Sequence, residues 1–201
     1  MYIPKTNLES DESEVIRFMQ RFSFATIITS KNNYPIATHL PFLIQKKEDK
    51  VILTSHFALA NPQWKDIENN DVLVIFSEPH AYISASNYDT KLNVPTWNYI
   101  SVHAYGKGKV IKELNQTFDI LEATINHFDQ SYQSQWESLP LDYKTKMAKG
   151  IVAFEVVVED LQAKKKLSQN RSETEKEKII SHLAQSNDSN ENRIAEYMRK
   201  L

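Results

Sequence analysis

Most apolar residues between Phe24 and Lys112 recur at every second position, in short runs set close together, and the long helical patterns come late. Elements ordered this way do not alternate as parallel βαβ units do. They predict an antiparallel sheet closing into a small barrel, mainly β with peripheral helices. The strand expectations are Phe24–Thr29, Ile36–Gln45, Val51–His56, Val72–Ser77, Ala81–Ser84, Tyr99–Lys112 and the strongly β-branched Ile151–Val158. Lys31-Asn32-Asn33 reads as a turn, Pro41 as a bulge or sheet edge, and Lys46–Lys50 as a charged hairpin loop.

Helices frame this β region. Asp11 caps a helix to Phe22 with Glu14 three residues on, and Asn61-Pro62 opens a short helix to about Asn69. Glu113–Asp129 and Leu141–Lys149 carry helical spacing. Ser172 with Glu175 forms a capping box opening a helix to about Gln185, Ser186–Asn190 breaks it, and Asn192–Lys200 follows. The expected division is a domain over 1–171 and a helical C-terminal extension over 172–201.

The chain has only three glycines, Gly106, Gly108 and Gly150. Neither the dinucleotide fingerprint nor the Walker loop can be written with them, so a bound phosphate must be held by side chains or by amides in ordinary turns. Gly106 and Gly108, flanking Lys107, fit a bulge or a close backbone approach. Cysteine is absent, which excludes disulfides, iron–sulfur clusters and thiolate chemistry. The formal net charge is -2 over 201 residues, with nine Lys/Arg and six Asp/Glu after residue 162. That tail is too mixed for a nucleic-acid arm, and direct DNA binding is not expected. The first residues lack the pattern of a signal peptide, and no run approaches the roughly 18 apolar residues of a membrane span, so a cytoplasmic protein is expected.

Three strings carry chemistry. In HFALANPQW (56–64) a strand ending in Thr54-Ser55-His56 runs into a capped helix start at Asn61-Pro62, gathering hydroxyls, an imidazole and amides suited to an anion. A plain strand-to-helix connection gives the same string. VPTWNYISVHAYGKGKV (94–110) puts Trp97 and Tyr99 at a strand mouth, where they either cover a planar ligand or pack the rim. KLSQNR (166–171) collects amide, hydroxyl and guanidinium donors before the capping box. His39, His56, His80 and His103 lie at strand ends or interiors without metal-ligand spacing, and no serine has a nucleophile-elbow context.

With THLPF (38–42), PHAYISASNY (79–88) and VHAYGKG (102–108), these strings resemble the Pai-type FMN-binding negative transcriptional regulators, within the FMN-binding split-barrel superfamily. The resemblance implies a six-stranded antiparallel split β-barrel, a homodimer, and FMN at the dimer interface. It places the flavin pyrimidine edge against Thr38, His39 and Leu40. The phosphate falls near Thr54, Ser55, His56, Asn61 and Gln63. Trp97, Asn98 and Tyr99 lie near the ring from the partner subunit, and Lys166, Gln169 and Arg171 close the site. Many split-barrel oxidases carry an Arg-Lys pair where this chain has Ala60-Asn61-Pro62, which implies a weaker hold on the flavin. An FMN-dependent oxidoreductase and a haem-binding barrel are the competing readings.

Overall fold

The computed structural model describes residues 1–201. In chain order the elements are β1 (Leu8–Glu9), α1 (Glu12–Arg21), β2 (Phe24–Lys31), β3 (Tyr34–Pro41), β4 (Leu43–Lys47), β5 (Lys50–Ala58), β6 (Asp71–Phe76), β7 (His80–Ile83) and β8 (Thr96–Val110). They continue with α2 (Leu114–Phe128), α3 (Gln133–Ser138), α4 (Leu141–Ala148), β9 (Ile151–Lys166), α5 (Glu173–Ala184) and α6 (Ser189–Met198). The chain divides into two compact units, one of Ile16–Ile75 with Ala104–Leu161, the other of Met1–Val15, Phe76–His103 and Gln162–Leu201.

In the first of these the sheet follows the order β3-β2-β6-β8-β9-β5-β4. The β2/β3, β2/β6, β4/β5 and β5/β9 pairs are all antiparallel. The path is open, with β3 at one end and β4 at the other, so the barrel is split. The sequence predicts six runs on this path, and seven are present because Pro41 divides Ile36–Gln45 into two strands. Proline has no N–H for the ladder, and the next amide, of Phe42, donates instead to the Ser23 carbonyl at 2.8 Å. Phe42 then enters the core with its ring 6.2 Å from Phe154, which stacks on Phe57 at 4.7 Å. Full burial of each such ring is worth about 1.5–3 kcal/mol.

The β2–β3 hairpin closes through Asn32 and Asn33, at φ 51° and 62°, with Lys31 paired to Tyr34. Two left-handed residues in a two-residue loop match the twist of the strands, and asparagine tolerates that conformation better than most residues. Asn61 caps as expected, its Oδ1 accepting from the Gln63 amide at 3.0 Å, but the helix is only a 3-10 turn over Pro62–Lys65. The sequence pattern overestimates its length because Asp66–Asn70 forms turns rather than helix.

In the second unit β7 pairs with the start of β8, placing Tyr82 opposite Trp97, and β1 pairs with the end of β9, placing Leu8 opposite Lys164. Helices α5 and α6 pack on each other, and α6 packs on β7. Ile83, Ile100, Leu167, Ile179 and Ile194 fill the interior. Strand β9 runs to Lys166 rather than ending at Val158. Lys164, Lys165 and Lys166, beyond the expected strand end, lie within β9, and Lys165 reaches Glu9 at 2.5 Å and Glu14 at 3.9 Å. The capping box at Ser172 and Glu175 forms as expected.

Candidate functional site

Three groupings emerge from the expected site residues, and the pleat decides which side chains meet. In a strand, neighbours point to opposite faces. On β5, therefore, Ser55 turns away from Thr54 and His56. The Ser55 hydroxyl donates to the Pro41 carbonyl at 2.7 Å, which fixes the break between β3 and β4. Thr54 is buried at a cavity of about 380 Å³ beside α2, with Glu155, its register partner on β9, on the same wall. His56 is half-buried.

The first grouping is Thr38, Asn61 and Gln63. Asn61 Nδ2 donates to Thr38 Oγ1 at 2.9 Å, and that hydroxyl donates to Gln63 Oε1 at 2.6 Å. Gln63 is fully buried, and its Nε2 lies 3.1 Å from the Ile36 carbonyl and 3.3 Å from the Ile27 carbonyl and the Thr29 hydroxyl. These contacts lock the 3-10 turn onto β2 and β3. Gln63 is a positioning residue here, with its side-chain amide and its backbone N–H both engaged inside the chain. On the same strand as Thr38, His39 is exposed, with Nδ1 3.0 Å from Thr26 Oγ1, and Leu40 is half-buried.

The second grouping is aromatic. Trp97 is 52% exposed, with His80 at 5.9 Å and Tyr82 at 5.7 Å between ring centres. Tyr99, two residues on along the same face, lies 5.1 Å below the Lys164 ammonium. Asn98 points the other way and is fully buried, accepting from the Ser168 hydroxyl at 3.1 Å.

The third grouping surrounds a cavity of about 300 Å³ lined by Thr96, Asn98, Lys166, Ser168, Gln169 and Arg171, with residues of the N-terminal segment on one side. Lys166 donates to the Thr96 hydroxyl and, at 2.6 Å, to the Trp97 carbonyl. Gln169 closes its own turn, donating to the Lys165 carbonyl at 2.5 Å and accepting from the Leu167 amide at 2.8 Å. Arg171 donates through Nη1 to Asn93 Oδ1 at 2.8 Å, and its guanidinium lies 3.7 Å from the centre of the Tyr88 ring. No carboxylate lines this cavity. Burial, reinforced by the neighbouring Lys164 charge, pushes Lys166 below the ordinary lysine value. Two cations facing a partly enclosed space with only neutral acceptors favour an anion there, because removing charge from water is costly until it is paired.

These donors fit a phosphate-bearing ligand, and likeness to known proteins points to a flavin. Residues 1–160 match the family described as "Putative FMN-binding domain". The chain belongs to that family. It is 44% identical over 202 residues to the "Protease synthase and sporulation protein PAI 2" of Bacillus subtilis, across 98% of this chain and 96% of that protein. The fold of this FMN-binding family member is also that of the flavocytochrome Anf3 from Azotobacter vinelandii, with a TM-score of 0.62 at 18% identity over 82% of this chain and 72% of that one. The "FAD and Heme binding protein" from Mycobacterium smegmatis gives 0.61 at 13% identity, over 80% and 73%. The family expectation from the motifs, an FMN-binding split barrel of Pai type, is thus met.

Tyr88, Asn93 and Ser168 are not marked as site residues by the sequence. Tyr88 ends the string 79–88 and Ser168 lies within 166–171, but neither string singles them out. Asn93 lies in the irregular stretch before Pro95, and Tyr88 and Asn93 act through contacts with Arg171 about eighty positions later.

Burial pushes His56 below the ordinary histidine value. Its unfolded form then binds more protons than its folded form below about pH 6.5, so the stability tied to this residue declines as the pH falls through that region. His56→Gln is expected to flatten the acid side of the urea-unfolding profile. Parallel profiles for both proteins would assign the acid loss elsewhere.

Proposed function

We propose that this protein is an FMN-binding homodimer of the Pai type in which Lys166 and Arg171 hold the negative charge of the flavin. The observation that carries this reading is the cavity of the third grouping, with two cations, seven neutral polar residues and no carboxylate in its lining. Charge-assisted hydrogen bonds from Arg and Lys to phosphate oxygens are among the stronger polar contacts available to a protein. In the 54–63 stretch Ser55, Asn61 and Gln63 have side-chain groups engaged within the chain, and His56 makes no hydrogen bond there. His56 is therefore the remaining donor of that stretch, with Thr54 on the same face.

Trp97 and Tyr99, with His80 and Tyr82 beside Trp97, form a half-exposed aromatic surface suited to covering a planar ring system. We assign Trp97 and Tyr99, with the Lys166 and Arg171 of the same chain, to the site as contributions from one subunit, and Thr38, His39 and Leu40 of the other subunit to the ring edge. Asn98, fully buried, backs the cavity wall between Trp97 and Tyr99. FMN, when bound, supplies the electron-transfer chemistry, and the chain's own residues bind and orient it. Residues 1–171 carry the flavin function, and 172–201 form a helical extension that serves it.

The likeness to a protease synthase and sporulation protein supports a regulatory role as part of this proposal, and we place that role at the flavin site rather than in direct DNA contact, given the net charge of -2. No helix is long and apolar enough to cross a membrane, and a cytoplasmic location is part of the same proposal. Protein reconstituted with FMN and freed of excess flavin is expected to keep a flavin absorption spectrum and to scatter light as twice the chain mass. A colourless protein overturns the flavin reading, and a monomer with bound FMN overturns the dimer.

A further inference from the structure

Arg171 is held from two directions, and both lead to one carboxylate. Its guanidinium is gripped by Asn93 and Tyr88, in the stretch between β7 and β8 whose only regular structure is a 3-10 turn over Ala85–Asn87. That stretch is tied to α5: the Asp89 amide donates to Glu175 Oε1 at 3.0 Å, and Lys178 reaches Asp89 Oδ1 at 2.6 Å. The second oxygen of Glu175 accepts from the amide of Ser172, the residue immediately after Arg171, at 3.4 Å. Glu175 is 8% exposed and its carboxylate meets two backbone amides.

We propose that Glu175 is a positioning residue for the anion cavity, clamping through one carboxylate both the backbone beside Arg171 and the loop that carries its side-chain partners. This rests on the reading that Arg171 holds FMN's charge. A long cation loses side-chain freedom when it is fixed in one geometry, so an arginine already held by a stacked tyrosine and an asparagine is preorganised for its ligand. Helix α5, outside the cavity lining, then sets how well the cavity distinguishes a phosphorylated flavin from an uncharged one. The neutral asparagine and the aromatic face orient the guanidinium without cancelling its charge, which leaves that charge for the ligand.

The test compares FMN with riboflavin, which lacks the phosphate, by flavin-fluorescence titration of full-length protein. Glu175→Ala is expected to weaken FMN about tenfold, equivalent to about 1.4 kcal/mol, while riboflavin changes less than about twofold. Glu175→Gln, which keeps one acceptor oxygen, should fall between the wild type and Glu175→Ala. Asn93→Ala and Tyr88→Leu loosen the guanidinium without touching α5, so they give the same selective loss if Glu175→Ala does not fold. Equal losses for both flavins in these variants would show a general structural role and overturn the proposal. If Arg171→Ala weakens FMN while Glu175→Ala and Asn93→Ala leave it unchanged, the positioning role fails and the charge placement stands. If Arg171→Ala itself has no effect, the placement fails.

Discussion

Replacing Lys166 and Arg171 together by alanine is expected to weaken FMN binding by at least about 100-fold and riboflavin by only a few-fold. A hydrogen bond to a charged group contributes about 1.5–3 kcal/mol net, so two of them, taken at the low end for a site open to solvent, give about 3 kcal/mol. At about 1.4 kcal/mol per decade this corresponds to about two decades in affinity. The loss should shrink as salt is added, since the interaction is between charges in a cavity that water reaches. It should also depend on pH in a defined direction. Lys166 ionises below the ordinary lysine range because of burial and Lys164. Raising the pH therefore removes its charge earlier than for a free lysine, and FMN affinity declines on the alkaline side. Lys166→Arg should abolish that decline, because guanidinium keeps its proton throughout the range. An unchanged alkaline decline in Lys166→Arg would assign the titration to another group.

Gly106→Ala is expected to cost more stability than any surface change in this chain. A Cβ at position 106 would lie 2.1 Å from the Val157 carbonyl oxygen and 2.8 Å from its carbon. Both are backbone atoms of β9, so no side chain can move aside, and the β8–β9 ladder must open to admit a methyl group. The expected loss is at least about 4 kcal/mol, in the range where single substitutions unfold ordinary domains. Urea denaturation should show a large drop in midpoint, or no folded baseline at all. Gly150→Ala is the control, since its Cβ would meet only the Met147 carbonyl, at 3.2 Å. Similar losses at the two positions would mean that close strand approach is not what requires glycine at 106.

That approach is legible in the sequence, because two glycines around one lysine in a β-rich run point to a bulge or to a second backbone passing close by. The same holds wherever a local rule has one physical solution: the Asn32-Asn33 turn, the Asp11 and Asn61 caps, and the Ser172–Glu175 box. Features set by distant partners are less legible. The expected strand stops at Val158, whereas three consecutive lysines at 164–166 extend β9 because β1 pairs with it and because Glu9 and Glu14 meet Lys165. A strand of two residues such as β1 carries no period of its own.

The site divides in the same way. KLSQNR is identifiable as a donor-rich segment, and Lys166, Gln169 and Arg171 do line one cavity. The alternation of a strand separates Ser55 from Thr54 and His56, a consequence of the pleat that is available from sequence alone. The grips of Tyr88 and Asn93 on Arg171 are not, since they depend on tertiary placement across about eighty residues.

On the proposed reading, this chain holds FMN by its charge. Titration of the wild-type protein with FMN and with riboflavin at low salt, followed by flavin fluorescence, tests it most directly. The expected result is one FMN per chain, bound at least about 100-fold more tightly than riboflavin, which corresponds to about 2.7 kcal/mol carried by the phosphate. Equal affinities for the two flavins would contradict it.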